Sequence, residues 1–419
     1  MQIRQLALLF GLSMSGLTAA CSSNSSPAIS TLPQGGNINA AGATSAGAAG
    51  AGTAGAGTAG AGTAGAGGIS SSGAGAGGAG TTAGAAGMGS GTAGAAGGGS
   101  TMMSAGCSKP LPAAVKTGQW SMMADPNDTA GNPPPLLVPC KVDPLKLAWP
   151  ACVNGMVKRG YYVYVKAGYD PTKPSKVIYE GAGCDAPPAD AGGTSGYPYQ
   201  DLDGNSATQI IQVGLTYSRS PNIGEHGNCY DNKNPQSSDF AYFPILQQKI
   251  EEQFCVDHSK TVYSGYSTGA WVGNQFTCAF PERFHTMVYA TGEEPLMQPT
   301  CAPGSPIASM FLHDDKDTYN TPERMAFGCA RMLKMNGCST TTCDWKNAAF
   351  TDPYAVPGSV LNPPSSLKCV QFKGCPTDKP VVWCSTNIPG TMQAGDFLRH
   401  YITVSSWIAP LFWDFINKY

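Results

Sequence analysis

Residues 107–419 are predicted to fold as an α/β domain with a largely parallel sheet. Short apolar runs alternate there with helix-like segments, no apolar segment approaches the roughly 20 residues of a membrane span, and one serine lies between a strand candidate and a helix candidate. In such sheets, binding and catalytic residues collect at the carboxyl ends of the strands. Candidate functional residues are therefore expected in the segments that follow the predicted strands.

The first 20 residues have the pattern of a secretory signal peptide. Arg4 is followed by an apolar stretch over residues 6–12 and by three small residues, 18–20, directly before Cys21. Cys21 in this place resembles the acylated cysteine of bacterial lipoproteins. We therefore expect an extracellular protein, either free or anchored through a lipid on Cys21 to the bacterial outer membrane.

Residues 21–106 combine this cysteine with a segment of mostly Gly, Ala, Ser and Thr. A Gly-Thr-Ala-Gly-Ala unit repeats over residues 52–66, and no charged residue occurs between Arg4 and Lys109. Such a composition cannot bury enough apolar surface to offset the entropy lost on ordering. The segment is predicted to be a disordered linker, with a silk-like structural segment as the alternative.

Charge and cysteine content indicate what kind of protein the domain at 107–419 is. The whole chain has 25 Lys and Arg against 27 Asp and Glu and no basic cluster, which argues against nucleic-acid binding. Of its 15 cysteines, all but Cys21 lie in this domain, and an even number of cysteines in an exported chain predicts disulfides. The spacing leaves their pairing open. A zinc site is the less favoured alternative, because no Cys-x-x-Cys occurs.

The elements of the domain follow from the periodicity of its apolar residues. Runs rich in β-branched and aromatic residues predict strands, and longer amphipathic segments predict helices. The strand candidates are 161–165, 177–179, 210–213, 261–263, 287–289, 310–312 and 381–383, and the helix candidates are 239–254, 271–280, 322–335 and 404–417.

Ser267 is the candidate nucleophile. It has Gly265 and Gly269 two residues to either side, a strand candidate before it and a helix candidate after it. This is the pattern of a nucleophile elbow, a sharp strand-to-helix turn that exposes a serine hydroxyl. We expect a Cβ at either glycine to clash with the neighbouring strand or helix. The alternative is an ordinary Gly-Ser turn.

A serine hydroxyl needs a base to remove its proton and an acid to orient that base. Asp317 closes a cluster that directly follows the strand candidate at 310–312, so it is the predicted acid, with Asp314 and Asp315 as competitors. His400 follows the last strand candidate and is the predicted base. His313 is too close to the acid in sequence, and His226, His258 and His285 are expected to be structural.

Acyl transfer also needs backbone N–H groups that stabilise the developing oxyanion. The residue after the nucleophile, Thr268, is predicted to supply one of them. The other is expected in the glycine-containing turn after the strand candidate at 177–179, and we assign it to Cys184.

These residues resemble secreted esterases of the group that includes feruloyl esterases, acetylxylan esterases and polyhydroxybutyrate depolymerases. The likeness covers most of 107–419. Its motifs are 161–165 with 168–171, the Gly183-Cys184 turn, 255–257 before the elbow, 280–284 after it, the acid turn 313–317, 336–338, 380–384 and the closing 413–415. The chain departs from the group at Glu180, where a His-Gly pair is common, and at His400, which follows Arg399 after a longer loop.

The resemblance implies an α/β-hydrolase fold and a serine carboxylic ester hydrolase. We expect a monomer without a cofactor, acting on a feruloyl ester of plant xylan or on a small ester, and touching a membrane only through its N-terminal lipid. Acetylxylan esterase and polyhydroxybutyrate depolymerase are the enzymatic alternatives. The non-enzymatic alternative is a surface-displayed binding module whose triad has decayed.

Overall fold

The computed structural model describes the following parts of the chain: 103–123, 134–140, 152–184, 209–216, 229–230, 238–292, 305–387, 400 and 407–419. The expected signal peptide at 1–20, Cys21 and nearly all of the expected linker lie outside these ranges. All described residues belong to one compact unit, 98–419.

Twelve strands and four α-helices form the described part of this unit. The strands are β1 Trp120–Met123, β2 Leu136–Pro139, β3 Met156–Arg159, β4 Tyr161–Val165, β5 Ser175–Gly181, β6 Ile210–Leu215, β7 Val256–Tyr266, β8 Thr286–Ala290, β9 Ala308–Asp314, β10 Thr351–Tyr354, β11 Lys368–Phe372 and β12 Val381–Thr386. The helices are α1 Ser238–Gln253, α2 Thr268–Ala279, α3 Pro322–Met335 and α4 Ile408–Lys418. Each predicted strand and helix is present, with bounds shifted by a few residues.

Ten strands make one sheet, in the order β1-β4-β6-β5-β7-β8-β9-β12-β11-β10. Six neighbouring strands of this order are mutually parallel, namely β6, β5, β7, β8, β9 and β12. Antiparallel pairing adds the remaining strands at both edges. The first eight strands in this order, β1-β4-β6-β5-β7-β8-β9-β12, have the order and direction of an α/β-hydrolase sheet. The predicted fold class is therefore confirmed.

The sheet buries a separate apolar core on each face. Alternate residues of a strand point to opposite faces, so on β5 Tyr179 packs into one core and Ile178 into the other. Phe243 of α1 and Phe276 of α2 belong to the first core, whereas α4 contributes residues such as Leu411 to the second. Central strands buried on both faces explain the continuous apolar runs in the sequence.

The short strands at the margins of the sheet were not predicted from the sequence. β10 contains Pro353, and β11 begins with the exposed Lys368. β10 is the last strand of the sheet, and a strand at a sheet edge tolerates proline because one side of it lacks a neighbour, whereas β11 lies between β10 and β12. Both strands are short and carry residues that are uncommon in central strands, so only the pairing of β10 with β11 and of β11 with β12 identifies them.

The described chain begins with a clasp on the amino end of β7. Met103 forms an antiparallel bridge with Asp257, and the Ser104 N–H donates to the Val256 carbonyl at 3.1 Å. The Ser104 hydroxyl donates to the Phe254 carbonyl at 2.5 Å and accepts from the Val256 N–H at 2.8 Å. These contacts begin four residues before the expected boundary at 107.

Disulfides stabilise this clasp and other parts of the domain, which confirms the predicted disulfide-rich domain. The pairs within the described residues are Cys107–Cys255, Cys140–Cys152, Cys184–Cys229, Cys329–Cys343, Cys338–Cys375 and Cys369–Cys384, and Cys278 is also disulfide-bonded. The first closes a loop of 148 residues and the second one of 12.

We predict that the Cys107→Ser/Cys255→Ser double variant loses more stability than the Cys140→Ser/Cys152→Ser variant. Chain-entropy scaling gives about 5 kcal/mol for the longer loop and about 3 kcal/mol for the shorter one. Urea unfolding under non-reducing conditions measures both free energies of unfolding. Equal losses would show that loop entropy does not set the contribution of the Cys107–Cys255 bond.

Candidate active site

Ser267 occupies a strained turn between two elements of regular structure. β7 ends at Tyr266, α2 begins at Thr268, and Ser267 between them has φ 50° and ψ −121°. A positive φ is unfavourable for a residue with a Cβ and persists only where the surroundings enforce it. The Ser267 N–H donates to the Ala290 carbonyl at the end of β8, at 3.1 Å. A hydrogen bond to the neighbouring strand therefore stabilises this turn, and the flanking glycines leave room for it.

Both flanking glycines lie where the backbone has no room for a side chain. A Cβ on Gly265 would come within 2.7 Å of the Ala270 Cα, and one on Gly269 would overlap the Gly181 carbonyl of β5. A side chain at either position would therefore clash, as expected. The absence of side chains here lets the turn after β5 contact the elbow.

The structure brings the predicted acid, base and nucleophile together. His400 Nε2 lies 3.1 Å from Ser267 Oγ, and His400 Nδ1 lies 2.9 Å from Asp317 Oδ2. Since a carboxylate accepts hydrogen bonds, Nδ1 carries the proton and Nε2 is the acceptor for the serine hydroxyl. All three side chains are buried, with Ser267 7% exposed and His400 8% exposed.

Asp317 is fixed by the loop that carries it. Its Oδ1 accepts the Tyr319 N–H at 2.9 Å and the Asn320 N–H at 3.2 Å, while its Oδ2 faces His400. Of the two competitors, Asp314 has Oδ1 on the Lys316 N–H and Oδ2 on the Thr386 hydroxyl. The contact seen with His400 therefore favours Asp317 among the three aspartates.

The two residues predicted to stabilise an oxyanion are neighbours. Cys184 Sγ lies 3.5 Å from Thr268 Oγ1, and its disulfide to Cys229 ties down the turn after β5. Thr268 is the first residue of α2, where a backbone N–H has no acceptor within the helix. A Cβ on Gly183 would meet the Tyr266 ring at 2.7 Å, so this turn packs directly on the elbow.

Two tyrosines that the sequence analysis did not single out flank the imidazole of His400. The ring centroid of Tyr266 lies 5.5 Å from that of His400, and the ring centroid of Tyr319 lies 5.4 Å away. Tyr266 is buried, but Tyr319 is 61% exposed. Their positions were visible in the sequence, since Tyr266 directly precedes the serine and Tyr319 follows Asp317 by two residues.

The remaining described histidines lie outside this triad of side chains. His258 Nδ1 is 3.3 Å from a Glu251 carboxylate oxygen, and His285 Nδ1 is 3.2 Å from the Thr286 hydroxyl. His313 is buried with its ring stacked against Trp383. His226 lies outside the described residues.

Glu180, the departure from the esterase pattern at the end of β5, is an unusual buried acid. It is fully buried, and neither carboxyl oxygen has a hydrogen-bond partner within the described parts of the chain. Burial raises the pKa of Glu180 to about 8, because a charged carboxylate is disfavoured away from water. The side chain is therefore protonated at neutral pH.

Comparison with known proteins finds esterases among those similar to this chain. Feruloyl esterase C of Emericella nidulans is 24% identical over 191 residues, which span 45% of this chain and 66% of the relative, just under two thirds. The match confirms the resemblance to esterases that the motifs indicated. No protein-family profile matches the chain.

Two solved structures are similar at lower levels. An acetyl xylan esterase from Aspergillus awamori is 15% identical, with a TM-score of 0.39, over 58% of this chain and 94% of that chain. A ferulic acid esterase from Anaeromyces mucronatus, in complex with ferulic acid, is 16% identical, with a TM-score of 0.34, over 48% and 78%. Both scores are below 0.5, so the fold assignment rests on the strand order.

Among the described residues, none of the helices has the length and apolar character needed to cross a bilayer.

We predict that Glu180→Gln changes the pH dependence of stability. Between pH 4.5, the ordinary pKa, and about 8, the folded protein keeps a proton that the unfolded chain releases. The native free energy of unfolding should therefore fall as pH rises through this window, with a slope of up to about 1.4 kcal/mol per pH unit from this group. The glutamine cannot titrate, so the variant should gain stability over the native protein as pH rises.

Urea unfolding at pH 5, 6.5 and 8 checks this expectation. Glu282→Gln is the control, because Glu282 is 62% exposed and lies in the turn after α2. Parallel pH profiles for the native protein and Glu180→Gln would show that Glu180 titrates normally.

Proposed function

We propose that this chain is a serine carboxylic ester hydrolase that cleaves feruloyl esters of plant xylan. The observation that carries the proposal is the continuous hydrogen-bond chain from Asp317 through His400 to Ser267, placed on a strained strand-to-helix turn. The similarity to feruloyl esterase C supports the ester and the aromatic acyl group.

In the proposed reaction, Ser267 Oγ attacks the ester carbonyl carbon while His400 Nε2 takes the hydroxyl proton. Asp317 holds the imidazole in the required tautomer and stabilises the imidazolium. The backbone N–H groups of Thr268 and Cys184 bind the oxyanion of the tetrahedral intermediate. His400 then protonates the departing alcohol, and an acyl group remains on Ser267.

Water completes the cycle by the same steps. His400 takes a proton from water, the hydroxide attacks the acyl carbonyl, and the second tetrahedral intermediate collapses to release the carboxylic acid. The proton on His400 returns to Ser267 Oγ, so the free enzyme is restored.

The geometry of the triad argues against the non-enzymatic alternative, a surface binding module. A binding module with a decayed triad has no reason to keep the serine, histidine and aspartate within hydrogen-bond distance, whereas the separations here are 3.1 Å and 2.9 Å. A strained serine also costs stability, which is explained if the strain serves catalysis.

Export is part of the proposal. Disulfides are typical of oxidising compartments outside the cytosol, and the disulfides of the described chain support secretion. Attachment through a lipid on Cys21 is proposed on the N-terminal sequence alone.

We predict that Ser267→Ala abolishes hydrolysis of methyl ferulate and that Asp317→Asn lowers kcat by about 10³–10⁴-fold, because the imidazole loses its required tautomer. Asp315→Asn is the matched control and should retain kcat within about threefold. The assay uses the full-length chain produced under oxidising conditions. Asp315→Asn or Asp314→Asn with the larger loss would transfer the acid role to that residue.

The same assay separates the substrate alternatives. Ser267-dependent activity on acetylated xylan without activity on methyl ferulate would indicate an acetylxylan esterase. Ser267-dependent activity on a polyhydroxybutyrate film would indicate the depolymerase. Inactivity on all three, with the fold intact by circular dichroism, would leave the binding module as the better explanation.

A further inference from the structure

The exposed ring of Tyr319 is the most unusual surface feature beside the triad. Large aromatic side chains usually bury most of their area, yet Tyr319 is 61% exposed while its ring centroid lies 5.4 Å from that of the buried His400. The planes are inclined by 38°. The ring therefore lies beside the imidazole while most of its surface is exposed.

The backbone beneath this ring is anchored on both sides. The Tyr319 N–H donates to Asp317 Oδ1 at 2.9 Å, and the next residue, Asn320, donates from its N–H to the same oxygen at 3.2 Å. The Asn320 side chain is buried and donates from Nδ2 to the Thr291 carbonyl at 2.7 Å. An exposed ring on an anchored backbone loses little conformational entropy when it binds a ligand.

The chemistry at His400 decides which part of an ester meets this ring. His400 Nε2 must deliver its proton to the oxygen of the departing alcohol, so that oxygen has to come within hydrogen-bond distance of Nε2. The alcohol therefore lies along the imidazole, on the side of the scissile bond that is nearest to His400. A polymeric alcohol must also continue into solvent, and among the described residues Tyr319 is an exposed neighbour of the imidazole.

We propose that Tyr319 is a specificity-determining residue that packs against the sugar ring of the alcohol portion of the substrate. The C–H groups on one face of a pyranose or furanose ring form an apolar surface that suits an aromatic ring. This inference rests on the proposed ester hydrolase activity and adds the alcohol-binding contact to it.

The test compares two esters of the same acid. Methyl ferulate and a feruloylated arabinose oligosaccharide give the same acyl enzyme, so any difference between them arises before the alcohol leaves. Tyr319→Ala should lower kcat/KM for the oligosaccharide ester by about fivefold relative to methyl ferulate, the size typical of an aromatic contact. Tyr319→Phe keeps the ring and should match the native protein within about twofold.

Phe327→Ala is the control for removing an exposed aromatic ring, because Phe327 is 62% exposed on α3. It should leave the ratio of the two kcat/KM values unchanged. An equal effect of Tyr319→Ala on both esters, including no effect, would overturn the proposal. A larger loss on methyl ferulate would also overturn it, since the ring would then serve the acyl group.

A binding measurement keeps the inference separate from the proposed activity. The Ser267→Ala protein, with and without Tyr319→Ala, is titrated with an arabinoxylan oligosaccharide that lacks feruloyl groups. Weaker binding on removal of Tyr319 supports the sugar contact even if the native protein hydrolyses neither ester, in which case only the proposed function fails. Unchanged binding by the double variant would overturn the sugar contact at Tyr319, as an unchanged ratio of the two kcat/KM values would.

Discussion

The arrangement of the site depends on one backbone contact, the close approach of Gly269 at the start of α2 to Gly181 at the end of β5. No side chain fits between these two elements, so the helix begins almost directly against the neighbouring strand. The contact makes the turn at Ser267 sharp and leaves the serine at a positive φ. It also places the turn that carries Cys184 beside Thr268. The close packing of these two glycines therefore sets the positions of both the nucleophile and the turn that carries Cys184.

Much of this arrangement could be predicted from the sequence because it depends on local patterns. Central strands are apolar on both faces, and the glycine spacing around Ser267 has a steric meaning that a single chain reveals. The short strands β10 and β11 were not predicted, since β10 contains a proline and the pairing of these strands, which the sequence does not show, defines them. The pairing of the cysteines could not be predicted either, because partners such as Cys107 and Cys255 are 148 residues apart in the sequence.

Within the candidate site, sequence reasoning was strongest for residues tied to strand ends. Asp317 follows β9 and Ser267 follows β7, so the sheet itself brings them near each other. His400 comes from a long connection, and its place was inferred by elimination among histidines. Tyr266 and Tyr319 gave no pattern that distinguishes a site residue from an ordinary core or surface residue, and Glu180 stood out only as a departure from the esterase pattern. Their significance depends on burial and proximity, which only the folded chain shows.

The clasp formed by Met103, Ser104 and Cys107 has a mechanical consequence. It contacts β7 at its amino end, whereas Ser267 follows the carboxyl end of the same strand, roughly 20–25 Å away, because an irregularity between Val256 and Thr261 shortens the strand. Tension applied to the chain before Met103 would first meet the Met103 bridge and the Ser104 hydrogen bonds, and then the Cys107–Cys255 bond. The first contacts to bear such a pull therefore lie at the opposite end of β7 from Ser267.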